Sequence, residues 1–251
     1  MAISNDKKDK KQVIPDVGRI LAAMEERGMF EAIKRVAVNF RAEDSLEVVR
    51  RIGQRRTPKF RIDDNNRFAF LNFIKWLHGD PTMEAIDPDT GKPIPGDLTK
   101  GIYLAGSPGT GKTWCMDIMR DYSVTLGIQA EFPDYPEPKL HPLTWSVHHA
   151  EDICEEYLAK GHIKDLTKSR IIAIQDMGAE RKETLYMGNR VDVIRNLIEK
   201  RADIPDVITL ATSNMRIQGE VIKERYGDKV FSRMRQMFNY LIISGPDRRK
   251  F

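Results

Sequence analysis

Apolar residues after residue 100 of this chain alternate between two patterns. Runs of four or five consecutive apolar residues, typical of strands buried in a parallel sheet, are separated by segments in which apolar residues recur at helical spacing. We therefore predict an α/β domain with a five-stranded parallel sheet covered by helices. The predicted strands are residues 102–105, 143–147, 171–174, 207–211 and 240–243.

The beginning of the chain shows a weaker, helical pattern. Apolar residues at helical spacing predict three short amphipathic helices, at residues 17–24, 30–40 and 46–52. Gly53 and Pro58 interrupt this pattern and predict a linker. We therefore expect a small helical, basic region over residues 1–58, which docks on a partner, and a larger domain over residues 59–251.

Charge is distributed unevenly along the 251 residues. The net charge is +4, yet residues 1–61 hold 15 Lys and Arg against 9 Asp and Glu. Such an excess is typical of a segment that binds a polyanion, and equally of a segment that keeps a protein in solution. Six cations are concentrated beside the predicted linker: Arg50, Arg51, Arg55, Arg56, Lys59 and Arg61.

Composition argues against several classes of protein. No apolar run approaches the roughly 18 to 20 residues that a membrane span requires. Cys115 and Cys154 stand apart at no metal-binding spacing, which argues against a disulfide framework or a cysteine zinc site. His148 and His149 have no ligand partners at suitable spacing, and we interpret them as a polar strand terminus. We expect a cytoplasmic protein without a membrane partner.

The sequence directly after the first predicted strand matches the phosphate-binding pattern G-x-x-x-x-G-K-[ST]. It reads Gly106-Ser107-Pro108-Gly109-Thr110-Gly111-Lys112-Thr113 and opens an amphipathic helix, which is the context this motif requires. Its glycines let backbone N–H groups surround a phosphate chain, and the helix N-terminus adds partial positive charge. We expect Lys112 to reach the β- and γ-phosphates of a nucleotide and Thr113 to be a Mg²⁺ ligand.

The third predicted strand leads into Gln175 and Asp176. A carboxylate at the end of such a strand meets the magnesium ion or its water ligands. The usual pattern is two consecutive acids, the first for the metal shell and the second to polarise the attacking water. Gln175 carries no charge at the first position, so we expect a weaker hold on magnesium. Asp176 either acts as the second acid or takes over the metal role.

Two further candidates lie downstream. Asn214 follows the fourth strand, at the sheet edge where α/β proteins bind ligands, and can hold the attacking water or sense the γ-phosphate. A later helix carries Arg233 and Arg235, either of which can act as an arginine finger on the nucleotide of a neighbouring subunit. The alternative for Asn214 is that it only forms a turn before the next helix. The alternative for Arg233 and Arg235 is that they only lie on a solvated helix face.

In order and spacing, these motifs resemble those of AAA+ ATPases, and most closely those of the DnaC-type helicase loaders and the IstB-type transposition ATPases. The resemblance covers roughly residues 60–251. It rests on the phosphate loop and on four other segments: residues 174–180, 212–214, 226–234 and 245–249.

The resemblance implies roles for single residues. Lys112 and Thr113 match the Walker A pair, Asp176 the second Walker B acid and Asn214 the family's first sensor residue. Arg233 matches the trans-acting finger, which implies a homo-oligomer assembled at an Arg233 interface. We expect no full helical lid after the fifth strand, as in the shorter loader-like relatives.

The same resemblance implies a P-loop NTPase of the AAA+ type that hydrolyses ATP with Mg²⁺ and acts in DNA replication as a helicase loader. The implied partners are single-stranded DNA, a replicative helicase and further copies of the chain. Two alternatives stay open. One is an IstB-type ATPase that assembles on duplex DNA and stimulates a transposase. The other is a nucleotide-gated scaffold with weak hydrolysis, which Gln175 motivates.

Overall fold

The computed structural model describes residues 18–19, 33–36, 39–133, 137–216 and 219–250. Within them lie twelve strands: β1 (Lys34–Arg35), β2 (Glu84–Ile86), β3 (Pro93–Pro95), β4 (Gly101–Ala105), β5 (Gln129–Phe132), β6 (Lys139–Pro142), β7 (Ser146–His149), β8 (Ile171–Gln175), β9 (Thr184–Tyr186), β10 (Asn189–Val191), β11 (Ile208–Ser213) and β12 (Phe238–Ile242). The described α-helices are α1 (Ala42–Arg56), α2 (Arg67–His78), α3 (Lys112–Thr125), α4 (Ala150–Lys160), α5 (Lys164–Lys168), α6 (Val193–Ala202), α7 (Gly219–Tyr226) and α8 (Asp228–Met237).

The predicted five-stranded parallel sheet is confirmed, with strand order β12-β4-β11-β8-β7. β4, which leads into the phosphate loop, therefore lies between β11 and β12. One strand begins later than predicted, because the N–H of Leu143 is bonded to the Ile128 carbonyl oxygen and this residue extends the β5–β6 pairing instead.

Helices cover both faces of the sheet. Ile102 and Leu104 of β4 lie in one apolar cluster with residues of α1, α2 and α3. Tyr103 and Ala105 lie in a second cluster with residues of α4, α6 and α8. The alternation of adjacent β4 residues between two clusters explains why its sequence is a continuous apolar run.

Three small antiparallel sheets were not predicted. β1, β5 and β6 form a three-stranded side sheet, and β2–β3 and β9–β10 form hairpins. The helix predicted over residues 30–40 is wrong at Lys34–Arg35, because these residues pair with Glu131 and Ala130 of β5. Strands of two to four residues are too short to show a period of two in the sequence.

The N-terminal helices of the prediction are described only in part. Residues 18–19 are helical, and the remainder of the helix predicted at residues 17–24 lies outside the described residues. The third predicted helix is α1, which continues to Arg56, so the linker predicted from Gly53 onward is wrong over residues 53–56. Position 53 requires glycine because a Cβ there would lie 2.2 Å from the ring of Phe60. Val49 of α1 is buried in the same cluster as α3. The division at residue 58 stays a prediction, although α1 packs into the following domain.

None of the helices in the described part of the chain combines the length and the apolar character needed to cross a membrane.

Candidate nucleotide-binding site

The predicted phosphate loop joins the end of β4 to the first turn of α3. Gly109 and Gly111 have φ angles of +80° and +99°, which side-chain-bearing residues rarely adopt. A Cβ on Gly109 would lie 2.1 Å from Oδ1 of Asp247, and a Cβ on Gly106 would lie 2.2 Å from the carbonyl oxygen of Ile243. Backbone conformation or close packing therefore requires glycine at each of the three positions.

Hydrogen bonds within the loop fix its shape. Thr110 donates from Oγ1 to the Ser107 carbonyl oxygen at 2.9 Å, and Lys112 donates from Nζ to the same oxygen at 2.9 Å. α3 begins at Lys112, so the unpaired N–H groups of its first turn lie at the loop. These groups and the helix dipole favour a bound anion.

Lys112 and Asn214, which were predicted from two separate motifs, meet in the site. Nζ of Lys112 donates to Oδ1 of Asn214 at 2.8 Å. The contact forms because β11, which ends directly before Asn214, is a sheet neighbour of β4. Burial lowers the pKa of Lys112, while the negative charge of Asp176 opposes that shift and the positive charge of Arg249 adds to it.

These features identify the fold. The chain has the fold of a P-loop NTPase. A parallel sheet, a glycine loop between β4 and the helix α3, and a buried lysine at the start of that helix form one anion-binding unit in it.

The end of β8 places Gln175 against the P-loop helix. Gln175 is buried, and its Nε2 donates to Oδ1 of Asp117 at 3.5 Å. Asp117 lies four residues after Thr113 on α3, which places the two side chains on one face of the helix. Sequence reasoning missed Asp117, because nothing in a single sequence shows which helix face will meet the end of β8.

Asp176 follows in the left-handed conformation, with a φ angle of +56°. Its N–H donates to Oγ1 of Thr212 at 3.0 Å, and its carboxylate stays partly exposed. Nδ1 of His149 lies 3.7 Å from Oδ2 of Asp176. The two histidines do end a strand as predicted, and the structure adds that one of them contacts the candidate catalytic carboxylate.

Glu180 connects this turn to α7. Its Oε2 accepts from the N–H of Gly178 at 2.7 Å, while Oε1 accepts from the Tyr226 hydroxyl at 2.7 Å and from Nη2 of Arg225 at 2.5 Å. The glutamate side chain is fully buried. Burial, followed by the charge of Glu180, raises the pKa of Tyr226 far above its ordinary value. The family-like segments around residues 174–180 and 226–234 are therefore in direct contact.

Arg233 and Arg235 lie on α8 and both bind carboxylates within the chain. Nη2 of Arg233 lies 2.6 Å from Oδ1 of Asp203, and Nη2 of Arg235 donates to Oδ2 of Asp89 at 2.7 Å. The Arg235 guanidinium also lies over the ring of Phe231, 5.6 Å from its centroid. The role of Arg233 toward a neighbouring subunit stays a prediction.

A cavity of about 500 Å³ lies beside the phosphate loop. The loop and α3 contribute Gly111 and the partly exposed Trp114 to its wall. The remaining wall comes from Thr110 of the loop and from residues between 57 and 70 and between 243 and 248, which are far from the loop in sequence. Its position next to Gly111 and its volume fit the base and sugar of a nucleotide whose phosphates occupy the loop.

The donor set also fits Mg²⁺. Thr113 at the start of α3 and the carboxylate of Asp176 at the end of β8 are hard oxygen ligands of the kind this ion prefers. Among the described residues, no group of three or more His, Cys, Asp and Glu side chains forms a metal site by itself.

The basic cluster beside the predicted linker is largely paired with acids. Glu47 binds both Arg50 and Arg51, at 2.6 and 2.8 Å. Arg56 reaches the P-loop helix, where it lies 2.6 Å from Asp121 and 3.4 Å from Asp117. Arg61 lies 3.4 Å from Asp63. These pairings leave less free positive charge for a polyanion than the composition indicates.

Comparison with known proteins gives distant structural likenesses. No protein-family model matches the sequence, and no curated protein matches it. Similar solved structures include a DnaC helicase loader, at 19% identity and a TM-score of 0.47 over 73% of this chain and 93% of that one. They also include AMPPCP-bound DnaA from Aquifex aeolicus, at 16% identity and a TM-score of 0.44 over 76% of this chain and 50% of that one. Such likenesses assign no activity to this chain.

Proposed function

We propose that this chain binds ATP with Mg²⁺ and hydrolyses it slowly. The observation that carries the proposal is the 2.8 Å hydrogen bond from Lys112 to Asn214 beside the phosphate loop. Lys112 is buried and forms no ion pair with a carboxylate among the described residues. Its charge is therefore free to neutralise an incoming phosphate group.

Each residue of the site has a role that follows from its position. The N–H groups of the phosphate loop bind phosphate oxygens, and Lys112 neutralises the terminal phosphates. Thr113 and Asp176 would hold Mg²⁺, which supplies further charge neutralisation when it is bound. Asn214 orients the attacking water, and Asp176 accepts its proton where it is not itself the Mg²⁺ ligand.

Slow hydrolysis follows from Gln175. A carboxamide at the first Walker B position can accept a hydrogen bond from a metal-bound water but adds no negative charge. Its Nε2 is directed at Asp117, 3.5 Å away, so its second polar atom, Oε1, is the one left for such a water.

We further propose that the protein acts in DNA replication as a helicase loader. This part rests on the order of the motifs, which resembles that of the DnaC-type loaders. Arg233 would complete the nucleotide site of a neighbouring copy, with single-stranded DNA as the scaffold of assembly and residues 1–58 docking on a replicative helicase.

Titration calorimetry with ATP and Mg²⁺ tests the nucleotide site. Lys112→Ala should weaken ATP binding on the order of 100-fold, since a charge-assisted contact in a buried site is lost. Lys182→Ala, a change at an exposed lysine, is the matched control and should bind as the wild type does. Unchanged affinity in Lys112→Ala would remove the phosphate loop from the proposal.

The loader role needs a separate experiment. Affinity capture from the native host, with ATP present, should recover a replicative helicase. Recovery of a transposase instead would favour the IstB-type alternative and contradict the loader role.

One observation favours a second candidate function, a nucleotide-gated scaffold. The charge at the first Walker B position is absent, so ATP can bind and drive assembly while turnover stays very low. Phosphate release measured on the assembled protein distinguishes a slow ATPase from a nucleotide-gated scaffold. ATP-dependent assembly without measurable release would favour the scaffold.

A further inference from the structure

The segment after the last strand, residues 244–250, lies against the phosphate loop and forms part of the cavity wall. We propose that Arg248 in this segment is a nucleotide-binding residue that donates from Nε to the sugar or the adjoining phosphate of the ligand. This inference rests on the proposed binding of ATP and adds a residue to it.

The path of the segment is set by the sheet. β12 is the neighbour of β4, and the chain continues beside it with the N–H of Ile243 bonded to the Ala105 carbonyl oxygen at 2.8 Å. Ser244 then donates to the carbonyl oxygen of Asn65 at 3.0 Å, and Arg248 donates from its backbone to the carbonyl oxygen of Gly109 at 2.8 Å. The segment is thus tied to both the phosphate loop and the opposite wall of the cavity.

The side chain of Arg248 crosses the phosphate loop toward that wall. Its Cδ lies 3.5 Å from the place where a Cβ on Gly111 would be. Beyond the loop, Nη2 donates to Oδ1 of Asp63 at 2.7 Å and Nη1 to the carbonyl oxygen of Arg61 at 3.5 Å. The side chain is 19% exposed, so its donors are mostly shielded from water.

One hydrogen-bond donor of the Arg248 guanidinium group is unsatisfied. Nε is buried and has no hydrogen-bond partner among the described residues. A buried, unsatisfied donor is costly, and the cost is removed when an acceptor arrives. The cavity that Arg248 lines together with Gly111 and Trp114 is the space in which a ligand could bring one. Ribose hydroxyls and phosphate oxygens are both acceptors.

The neighbouring residues keep the segment compatible with an anionic ligand. The carboxylate of Asp247 packs on Gly109, where it would repel phosphates by itself. Arg249 donates to both of its oxygens, at 2.9 and 3.0 Å, and lowers the pKa of Asp247 to about 2. Because Arg249 pairs with this carboxylate, the repulsion that Asp247 would exert on a bound phosphate is reduced.

The experiment compares three ligands by calorimetry on the full chain: Mg-ATP, Mg-ADP and inorganic tripolyphosphate. Arg248→Ala should weaken ATP and ADP on the order of 10-fold, as expected for one lost charge-assisted hydrogen bond. If Nε donates to the sugar, tripolyphosphate, which lacks the sugar, should bind as in the wild type. If Nε donates to the adjoining phosphate, tripolyphosphate should weaken to the same degree as ATP and ADP. Lys250→Ala is the matched control in the same segment and should change none of the three.

A second variant separates ligand contact from a purely structural role. Asp63→Asn keeps an acceptor for Arg248 but removes the ion pair, and it should leave ATP affinity within about twofold, since neutral hydrogen bonds persist. Equal losses in Asp63→Asn and Arg248→Ala, or unchanged ATP and ADP affinity in Arg248→Ala, would overturn the inference. A wild-type chain that binds no ATP would instead overturn the proposed function itself.

Discussion

Nε2 of Gln175 donates to Oδ1 of Asp117 at 3.5 Å, so the neutral residue at the end of β8 faces a carboxylate on the helix that follows the phosphate loop. Asp117 lies one helical turn after Thr113 and is also bound by Arg56 of α1, at 3.4 Å. The negative charge that the strand lacks is thus present on the neighbouring element, and an acid at position 175 would lie beside it.

Gln175→Asp should therefore have two effects. With nucleotide and Mg²⁺ bound, hydrolysis should rise several-fold, because the metal site gains a carboxylate. Without metal, the new carboxylate and that of Asp117 repel each other. A decrease in the free energy of unfolding on the order of 1 kcal/mol would lower the melting temperature by about 2–4 °C. The measurements are phosphate release against Mg²⁺ concentration and thermal melting with and without the ion.

Asp117→Asn in the Gln175→Asp background is the control, and it should restore the melting temperature of the metal-free protein. If Gln175→Asp alters neither the rate nor the magnesium optimum, Asp176 is the metal-shell residue.

Arg233→Ala tests whether Arg233 acts on the nucleotide bound by a neighbouring copy of the chain. ATP affinity should stay near that of the wild type, while hydrolysis falls on the order of 10³-fold, the size typical of a lost finger. Mixing Arg233→Ala with Lys112→Ala protein should recover part of the activity. At some mixed interfaces the Arg233→Ala subunit supplies an intact phosphate loop and the Lys112→Ala subunit supplies an intact Arg233. No recovery at any mixing ratio would count against a shared site.

Asp203→Asn provides the comparison for Arg233, since Asp203 is its partner within the chain at 2.6 Å. If Asp203→Asn reduces hydrolysis as much as Arg233→Ala, then the ion pair itself, and not a contact with a second copy, is what hydrolysis requires.

Glu180→Gln should lower the stability of the protein, although Glu180 is not expected to contact the ligand. The buried carboxylate is bonded to Arg225 and Tyr226, and loss of one partner in such a pair costs about 3 kcal/mol or more. Tyr226→Phe removes a single hydrogen bond and should cost about 1 kcal/mol. Denaturant unfolding measures both, and Glu183→Gln at an exposed site is the control. Equal, small losses in all three would contradict the importance of this contact.

ATP binding should take up protons at alkaline pH. Burial lowers the pKa of Lys112 below its ordinary 10.5, so part of the free protein carries a neutral lysine as the pH approaches that value. Bound phosphates favour the charged form and raise the pKa again, so affinity should fall as the pH rises. Calorimetry in two buffers of different ionisation enthalpy detects the uptake. Its absence would show that Lys112 stays fully charged in the free protein.

The basic cluster should contribute unequally to binding of single-stranded DNA. Glu47 engages Arg50 and Arg51, whereas Arg55 and Lys59 form no ion pair with the described carboxylates. Replacing Arg55 and Lys59 by Ala should flatten the slope of log K against log salt by about 1.4, at about 0.7 per phosphate contact. Replacing Arg50 and Arg51 should change it less. An unchanged slope in both variants would leave this region without a direct DNA contact.

The sequence by itself determined the features that depend on local pattern. Four of the five strands of the central sheet, β4, β8, β11 and β12, are buried and follow from short apolar runs. The glycines of the phosphate loop follow from the backbone conformations that the loop requires. Lys112 and Asn214 were both predicted, because the phosphate loop that contains Lys112 follows one strand and Asn214 directly follows another. The carboxyl ends of parallel strands share one edge of the sheet.

The tertiary structure alone decided what lies beside these residues. Placing β12 next to β4 brings residues 244–250 onto the phosphate loop and Arg248 into the cavity wall. The packing of α3 against the sheet sets Asp117 at Gln175, and the end of β7 sets His149 near Asp176. Sequence periodicity indicates which face of an element is buried. The spatial order of the strands in the sheet determines which residues, distant in sequence, meet there.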